Sequence, residues 1–154
     1  MSRAFVKEMD GDGGEDIPEL AISPHRNLVT PAGLAQIDET LRRLDGELAT
    51  ARAAEDRGTV ARVERDLRYW SSRRSTAEVI DPVARPETVR FGCTVELQTG
   101  AGERIRFKIV GEDESNPGQG RISYVSPLAA AMIGAAVGDE VAFRGGMATI
   151  ASLE

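Results

Sequence analysis

Apolar residues recur at alternating intervals of three and four along Leu34, Ile37, Leu41, Leu44, Leu48 and Ala51. The same spacing runs through Val60, Val63, Leu67, Trp70, Arg74 and Ala77, with an arginine in one place. A heptad seam of this kind predicts two helices, each with a narrow apolar stripe. Only Glu55-Asp56-Arg57-Gly58-Thr59 separates them, too short for anything but a tight reversal. The prediction is an antiparallel helical hairpin with an acidic dipeptide near its tip. Thr30-Pro31 opens the first helix, threonine as N-cap and proline at the first helical position, where its missing N–H costs nothing. Gly58-Thr59 is expected to end that helix and cap the second. Gly46, inside the first helix, weakens it by about 1 kcal/mol relative to alanine.

After Asp81-Pro82 and Arg85-Pro86 the period changes to two. Cys93/Val95/Leu97, Ile105/Phe107/Ile109 and Ile122/Tyr124 alternate with polar residues, the pattern of half-buried strands. Thr99-Gly100-Ala101-Gly102 reads as a hairpin turn and Asn116-Pro117-Gly118-Gln119-Gly120 as a longer loop. Ser126-Pro127 caps a short helix through Leu128 to Ile133. A strand from Glu140 to Phe143, a reversal at Gly145-Gly146 and a last strand from Ala148 to Leu153 complete the chain. The fold class is α+β: an N-terminal antiparallel helical hairpin, a short coiled coil, followed by a small, mainly antiparallel sheet packed by one short helix. The expected organisation is an acidic tail over 1–27, the hairpin over 28–80, a linker over 81–87 and the sheet domain over 88–154.

Composition narrows the chemistry. A net charge of −6 over 154 residues argues against a nucleic-acid backbone as the main partner, although 19 Lys and Arg leave room for a local basic face. A single cysteine excludes an internal disulfide and suits a reducing cytosol. With a single histidine it cannot supply a zinc site of the usual kind. Cys93 reads as a small buried strand residue. No apolar run approaches the roughly 20 residues that span a bilayer, and the N-terminus has no signal-peptide core. The expectation is a cytoplasmic protein with no cofactor and no membrane contact.

Three features carry two readings each. The first 27 residues hold Glu8, Asp10, Asp12, Glu15, Asp16 and Glu19 among glycines and prolines. They read as a solvated tail, or as a segment that orders against a partner or against the body, helped by Phe5, Leu20 and Ile22. Arg62, Arg65, Arg68, Arg73 and Arg74 give the second helix a basic outer face, solvated or used. Trp70, at a seam position, reads as packing more than recognition.

The chain resembles the bacterial GreA/GreB transcript-cleavage factors. Phe91-Gly92-Cys93-Thr94-Val95 resembles their first strand of the C-terminal domain, and Phe107 to Glu114 their "IVG-acidic" turn. Ile122-Ser123-Tyr124-Val125-Ser126-Pro127-Leu128-Ala129, followed by Ile133-Gly134 and Val137-Gly138-Asp139, resembles the block "S-P-x-A … I-G … V-G-D". Leu28 to Leu34 resembles the opening of the family's first helix, and Arg68-Tyr69-Trp70 through Val79-Ile80-Asp81 the close of its second.

The resemblance implies a C-terminal domain of FKBP-like fold. That domain would dock on the secondary-channel rim of core RNA polymerase, through Ser126, Pro127, Leu128 and Ala129. It implies an accessory factor to polymerase, not an enzyme in its own right, touching DNA only by way of polymerase. Tip carboxylates, here Glu55 and Asp56, would stand near the second catalytic Mg²⁺ and the RNA 3′ end, with no stable metal of their own.

The tip departs from the family pattern Gly-Asp-[Leu/Arg]-x-Glu-Asn-Ala-[Glu/Asp]-Tyr. Asp56-Arg57 match the first acidic position and its neighbour. Thr59-Val60-Ala61 stand where Glu, Asn and Ala are expected, so the second carboxylate and the tyrosine are missing. Both arms are shorter than the family's by roughly eight to ten residues, about 12–15 Å. Short-hairpin relatives of the Rnk kind, which regulate another enzyme, share this feature. A regulator of that kind, or one antagonising true Gre factors by occupying the channel, is the alternative reading. A stand-alone prolyl isomerase is disfavoured, because such pockets are aromatic-lined and aromatics are 5% of the chain.

Overall fold

The computed structural model describes residues 17–154. The apolar stripes fold as two helices, α1 (Pro31–Ala53) and α2 (Arg57–Thr76), packed antiparallel. Thr30 caps α1 as its sequence suggests, its hydroxyl accepting from Gly33 N at 3.0 Å. At 1.5 Å per residue the arms are about 35 and 30 Å long. Ile37, Leu44 and Ala51, seven residues apart, are the fully buried column of α1, whereas Leu34, Leu41 and Leu48 are half-buried. Two helices alone enclose one column of a heptad seam; the second stays at the edge of the contact.

The reversal is tighter than the five residues expected. Ala54 is the C-cap of α1 and Asp56 the N-cap of α2, so Glu55 alone lies between them. Asp56, not Gly58-Thr59, caps the second helix.

A parallel pair of two-residue strands, β1 (Leu28–Val29) and β2 (Glu78–Val79), ties the hairpin's entry to its exit. The period-two pattern does not reveal so short a pair.

The remaining elements are β3 (Thr94–Thr99), β4 (Arg104–Val110), β5 (Arg121–Ser123), the short helix α3 (Pro127–Met132), β6 (Glu140–Phe143) and β7 (Gly146–Leu153). They form one sheet in the order β5-β4-β3-β7-β6, antiparallel except for β4 with β5. Alternation puts Val95, Leu97, Ile109, Ile122, Val141 and Ile150 on one face, where Ala129 and Met132 of α3 close the core. Cys93 is buried just before β3. The β6–β7 turn is centred on Arg144-Gly145, one residue earlier than Gly145-Gly146, and both residues have positive φ. Among the described residues no helix is long and apolar enough to cross a membrane.

Residues 17–27, read either as part of a solvated tail or as a segment ordered against a partner or the body, lie along the hairpin base. Glu19 makes a forked contact with Arg68, Ser23 Oγ donates to Glu112 Oε1 at 3.0 Å, and Asn27 is buried. Polar pairing holds this segment, since Leu20 and Ile22 are exposed. Phe5 and the acidic residues from Glu8 to Asp16 lie outside the described residues.

Candidate functional site

The chain presents three places where function can reside: the joint that aims the hairpin, the hairpin tip, and the start of α3.

The joint is built from the acidic turn Glu112–Glu114 after β4. Glu114 is buried, and its Oε2 accepts from Thr30 N at 3.0 Å and Gly111 N at 3.1 Å. Its Oε1 accepts from the Thr30 hydroxyl. One carboxylate therefore ties the N-cap of α1 to the end of β4. Asp113 does the same for α2: its Oδ1 accepts from Tyr69 OH at 2.6 Å and its Oδ2 from Arg73 Nε at 2.5 Å. Arg73 is 2% exposed and exchanges two 2.7 Å hydrogen bonds with Asn27, guanidinium to amide oxygen and amide nitrogen to Arg73 carbonyl. Burial in this network, then the hydrogen bond to Asp113, pushes the Tyr69 hydroxyl up to about 12.

These residues correct the reading of α2 as carrying a basic outer face. Arg73 is interior. Arg65 pairs with Asp66 at 2.7 Å, and Arg68 pairs with Glu19. Arg74 pairs with Asp38 across the hairpin at 2.6 Å. Trp70 is half-buried and meets Tyr69 edge-on at 5.1 Å, as a packing residue would.

At the tip, Glu55 N donates to Arg52 O and Asp56 N to Ala51 O, at 3.1 and 3.0 Å. These two bonds close α1 in a Schellman motif, with Glu55 (φ 53°) in the left-handed position that usually falls to glycine. Asp56 then turns its carboxylate inward: Oδ1 accepts from Thr59 N at 3.1 Å and Oδ2 from Thr59 Oγ1 at 2.7 Å. Those bonds, hydroxyl first, hold its carboxyl below the usual range. Glu55 is exposed. Arg52, Arg57 and Arg62 surround the pair, and Arg52 reaches Glu64 across the helices at 2.8 Å. The tip is thus of mixed charge, and among the described residues no group of three or more His, Cys, Asp or Glu is arranged to hold a metal ion.

At the start of α3, Ser126 is the N-cap, accepting from Ala129 N at 3.3 Å, and Pro127 is exposed at the first helical position. Leu128 is half-buried against the core. Ala129 is fully buried, so of the four residues expected at a docking surface it is a packing residue instead.

Residues 84–151 match the family model "Transcription elongation factor, GreA/GreB, C-term". Transcription elongation factor GreA of Anaeromyxobacter sp. strain K is 34% identical over 143 residues, spanning 75% of this chain and 82% of that protein. GreB of Xanthomonas axonopodis pv. citri is 37% identical over 133 residues, spanning 73% and 79%. GreB of Neisseria meningitidis is 44% identical over 81 residues, 51% of this chain; there the match spans half of the relative's length. Among solved structures, GreA factor homolog 1 of Thermus thermophilus aligns over 84% of this chain and 99% of its own at 19% identity, with a TM-score of 0.41.

Proposed function

Because this chain belongs to the GreA/GreB family, we propose that it is an RNA polymerase-binding transcription elongation factor that acts by placing its hairpin in the secondary channel. In this reading it occupies the channel and regulates elongation, with little stimulation of transcript cleavage, and it is an accessory factor without chemistry of its own.

The observation that carries the reading is the contact between Asp56 and Thr59. Assisting a second Mg²⁺ needs hard anionic oxygens turned outward. Asp56 instead spends both oxygens on capping α2, and the residue in the place of the expected second carboxylate is the threonine that holds it. Glu55 is left as one exposed carboxylate among three arginines. Arms of about 35 and 30 Å limit how far that carboxylate can be carried from the docked domain.

Docking falls to the surface at Ser126 and Pro127. Ser126→Asp keeps a side chain able to cap α3 while adding a charge, and Pro127→Ala removes surface without touching the core. Both variants should stay folded and bind core polymerase more weakly than the parent chain. Unchanged binding of folded variants would remove this docking surface. No binding of the parent chain to core polymerase would favour the regulator of another enzyme.

A further inference from the structure

Four cations line the outer face of the sheet, and two of them have no acidic partner among the described residues. Along β4, Arg104 pairs with Glu96 at 2.9 Å and Arg106 pairs with Glu154. The next outward residue, Lys108, has no ionic partner among the described residues. Its register partner on the neighbouring strand is another cation, Arg121. Like charges directly opposite in a sheet are destabilising, so the fold gains nothing from this pair. Among the described residues the Arg121 side chain finds one hydrogen-bond acceptor, the neutral Gln119 Oε1 at 2.7 Å, and its buried Nε finds none. A buried donor without a described acceptor calls for an explanation, and an anion shared with the register partner Lys108 supplies one.

Lys108 also stands at the edge of a cleft of about 210 Å³ between the hairpin base and the sheet, walled by Pro31, Ala32, Ile80, Pro82 and Gly92. Apart from Thr30 and Lys108 the walls are apolar, and the volume lies below the roughly 300–1,000 Å³ of sites for drug-sized ligands, so the cleft suits one or two side chains. We infer that Lys108, Arg121 and this cleft form a binding site for an aspartate or glutamate carboxylate next to an aliphatic residue, presented by a protein partner. The apolar body fills the cleft and the carboxylate takes the two cations. A nucleic-acid phosphate fits less well, since it has no apolar body and the chain's net charge of −6 repels a polyanion. Because Pro31 and Ala32 open α1 while Lys108 and Arg121 belong to the sheet, the occupant would bridge the two parts of the molecule. This site is separate from the tip and from the start of α3, and it does not depend on the polymerase reading.

The test is titration of the full chain with N-acetyl-Leu-Glu-amide, N-acetyl-Leu-Gln-amide and inorganic phosphate, followed by backbone amide shifts. The Glu probe should give saturable shifts at Ala32, Gly92, Lys108 and Arg121. The Gln probe should bind about tenfold more weakly, as loss of one charge-assisted contact implies. Lys108→Gln, at an exposed position, should weaken the Glu probe by a similar factor, and Arg121→Gln likewise if its spectrum otherwise overlays the parent. Equal binding of the Glu and Gln probes, no saturable shifts at these residues, or retention of binding in Lys108→Gln would overturn the inference. Phosphate binding as tight as the Glu probe would reduce the site to a bare anion pair and overturn it equally.

Discussion

Gly33 makes room for Glu114. A Cβ added at Gly33 would stand 2.1 Å from the Glu114 carboxyl carbon, so the first turn of α1 accepts this buried acid only because the residue is glycine. Gly111 is fixed by the backbone beside it, an added Cβ falling 2.3 Å from Leu28 O. Gly33→Ala should expel the carboxylate and leave the Thr30 and Gly111 donors unserved, at a cost of about 1–3 kcal/mol in thermal unfolding. Glu114→Ala should cost a similar amount. In the double variant the two losses should fail to add, because both remove the same contact. Additive losses would mean that Gly33 and Glu114 act independently.

The tip offers a substitution with opposite effects on stability and chemistry. Glu55 in the left-handed region is strained relative to glycine, so Glu55→Gly should stabilise the hairpin by about 1 kcal/mol while removing the exposed carboxylate. Asp56→Ala should destabilise it by about 0.5–2 kcal/mol, and Asp56→Asn by less, since asparagine also caps. Circular dichroism melts check both. Asp56 has a lowered folded carboxyl pKa, so its cap is intact above the ordinary value of 3.8 and is lost as pH falls through the folded value. The parent's α2 should therefore fray at strongly acidic pH, and Asp56→Asn should lack that step.

How much of this was legible in the sequence follows from the range of each interaction. Thr30-Pro31 and the alternation in β3 and β4 are local signals, and the structure keeps them. Asp56 as a cap is an equally local signal, but Gly58-Thr59 two residues on carries a second stop-and-cap signal that competes with it. The joint was not legible. Its partners lie 40 to 84 residues apart, and Arg73 sits one place off the stripe that continues to Arg74. The last turns of α2 face two neighbours: α1, which Arg74 meets through Asp38, and the acidic turn, which Arg73 meets. A single helical stripe describes only the first.

Truncation at the centre of the seam probes the hairpin alone. Leu44→Ala removes a buried side chain from the enclosed column and should cost about 2–5 kcal/mol. Hydrogen exchange should accelerate across α1 and α2 and stay unchanged in β3, β4 and β7. Gly46→Ala, with nothing within 4 Å of the added methyl, should recover about 1 kcal/mol.

The joint should respond to alkali. Tyr69 keeps its proton to about 12, above its ordinary value of 10.0, so the folded state holds this proton more tightly than the unfolded chain. The contribution is complete below pH 10 and is lost as pH rises towards 12. Stability of the parent should fall across that window more steeply than that of Tyr69→Phe. Identical pH profiles would show that the phenol does not report on the joint.

Backtracked elongation complexes provide the most direct test of the central claim, with RNA cleavage followed at limiting Mg²⁺ in the presence of this chain, of a cleavage-active GreA, and of both together. The account predicts little cleavage with this chain alone and a dose-dependent loss of GreA-stimulated cleavage when it is added. Ser126→Asp should relieve that loss, whereas replacement of Glu55 and Asp56 by Gln and Asn should leave it in place. Robust cleavage by this chain alone, abolished by the Glu55/Asp56 replacement, would contradict the account and restore the tip carboxylates to the Mg²⁺.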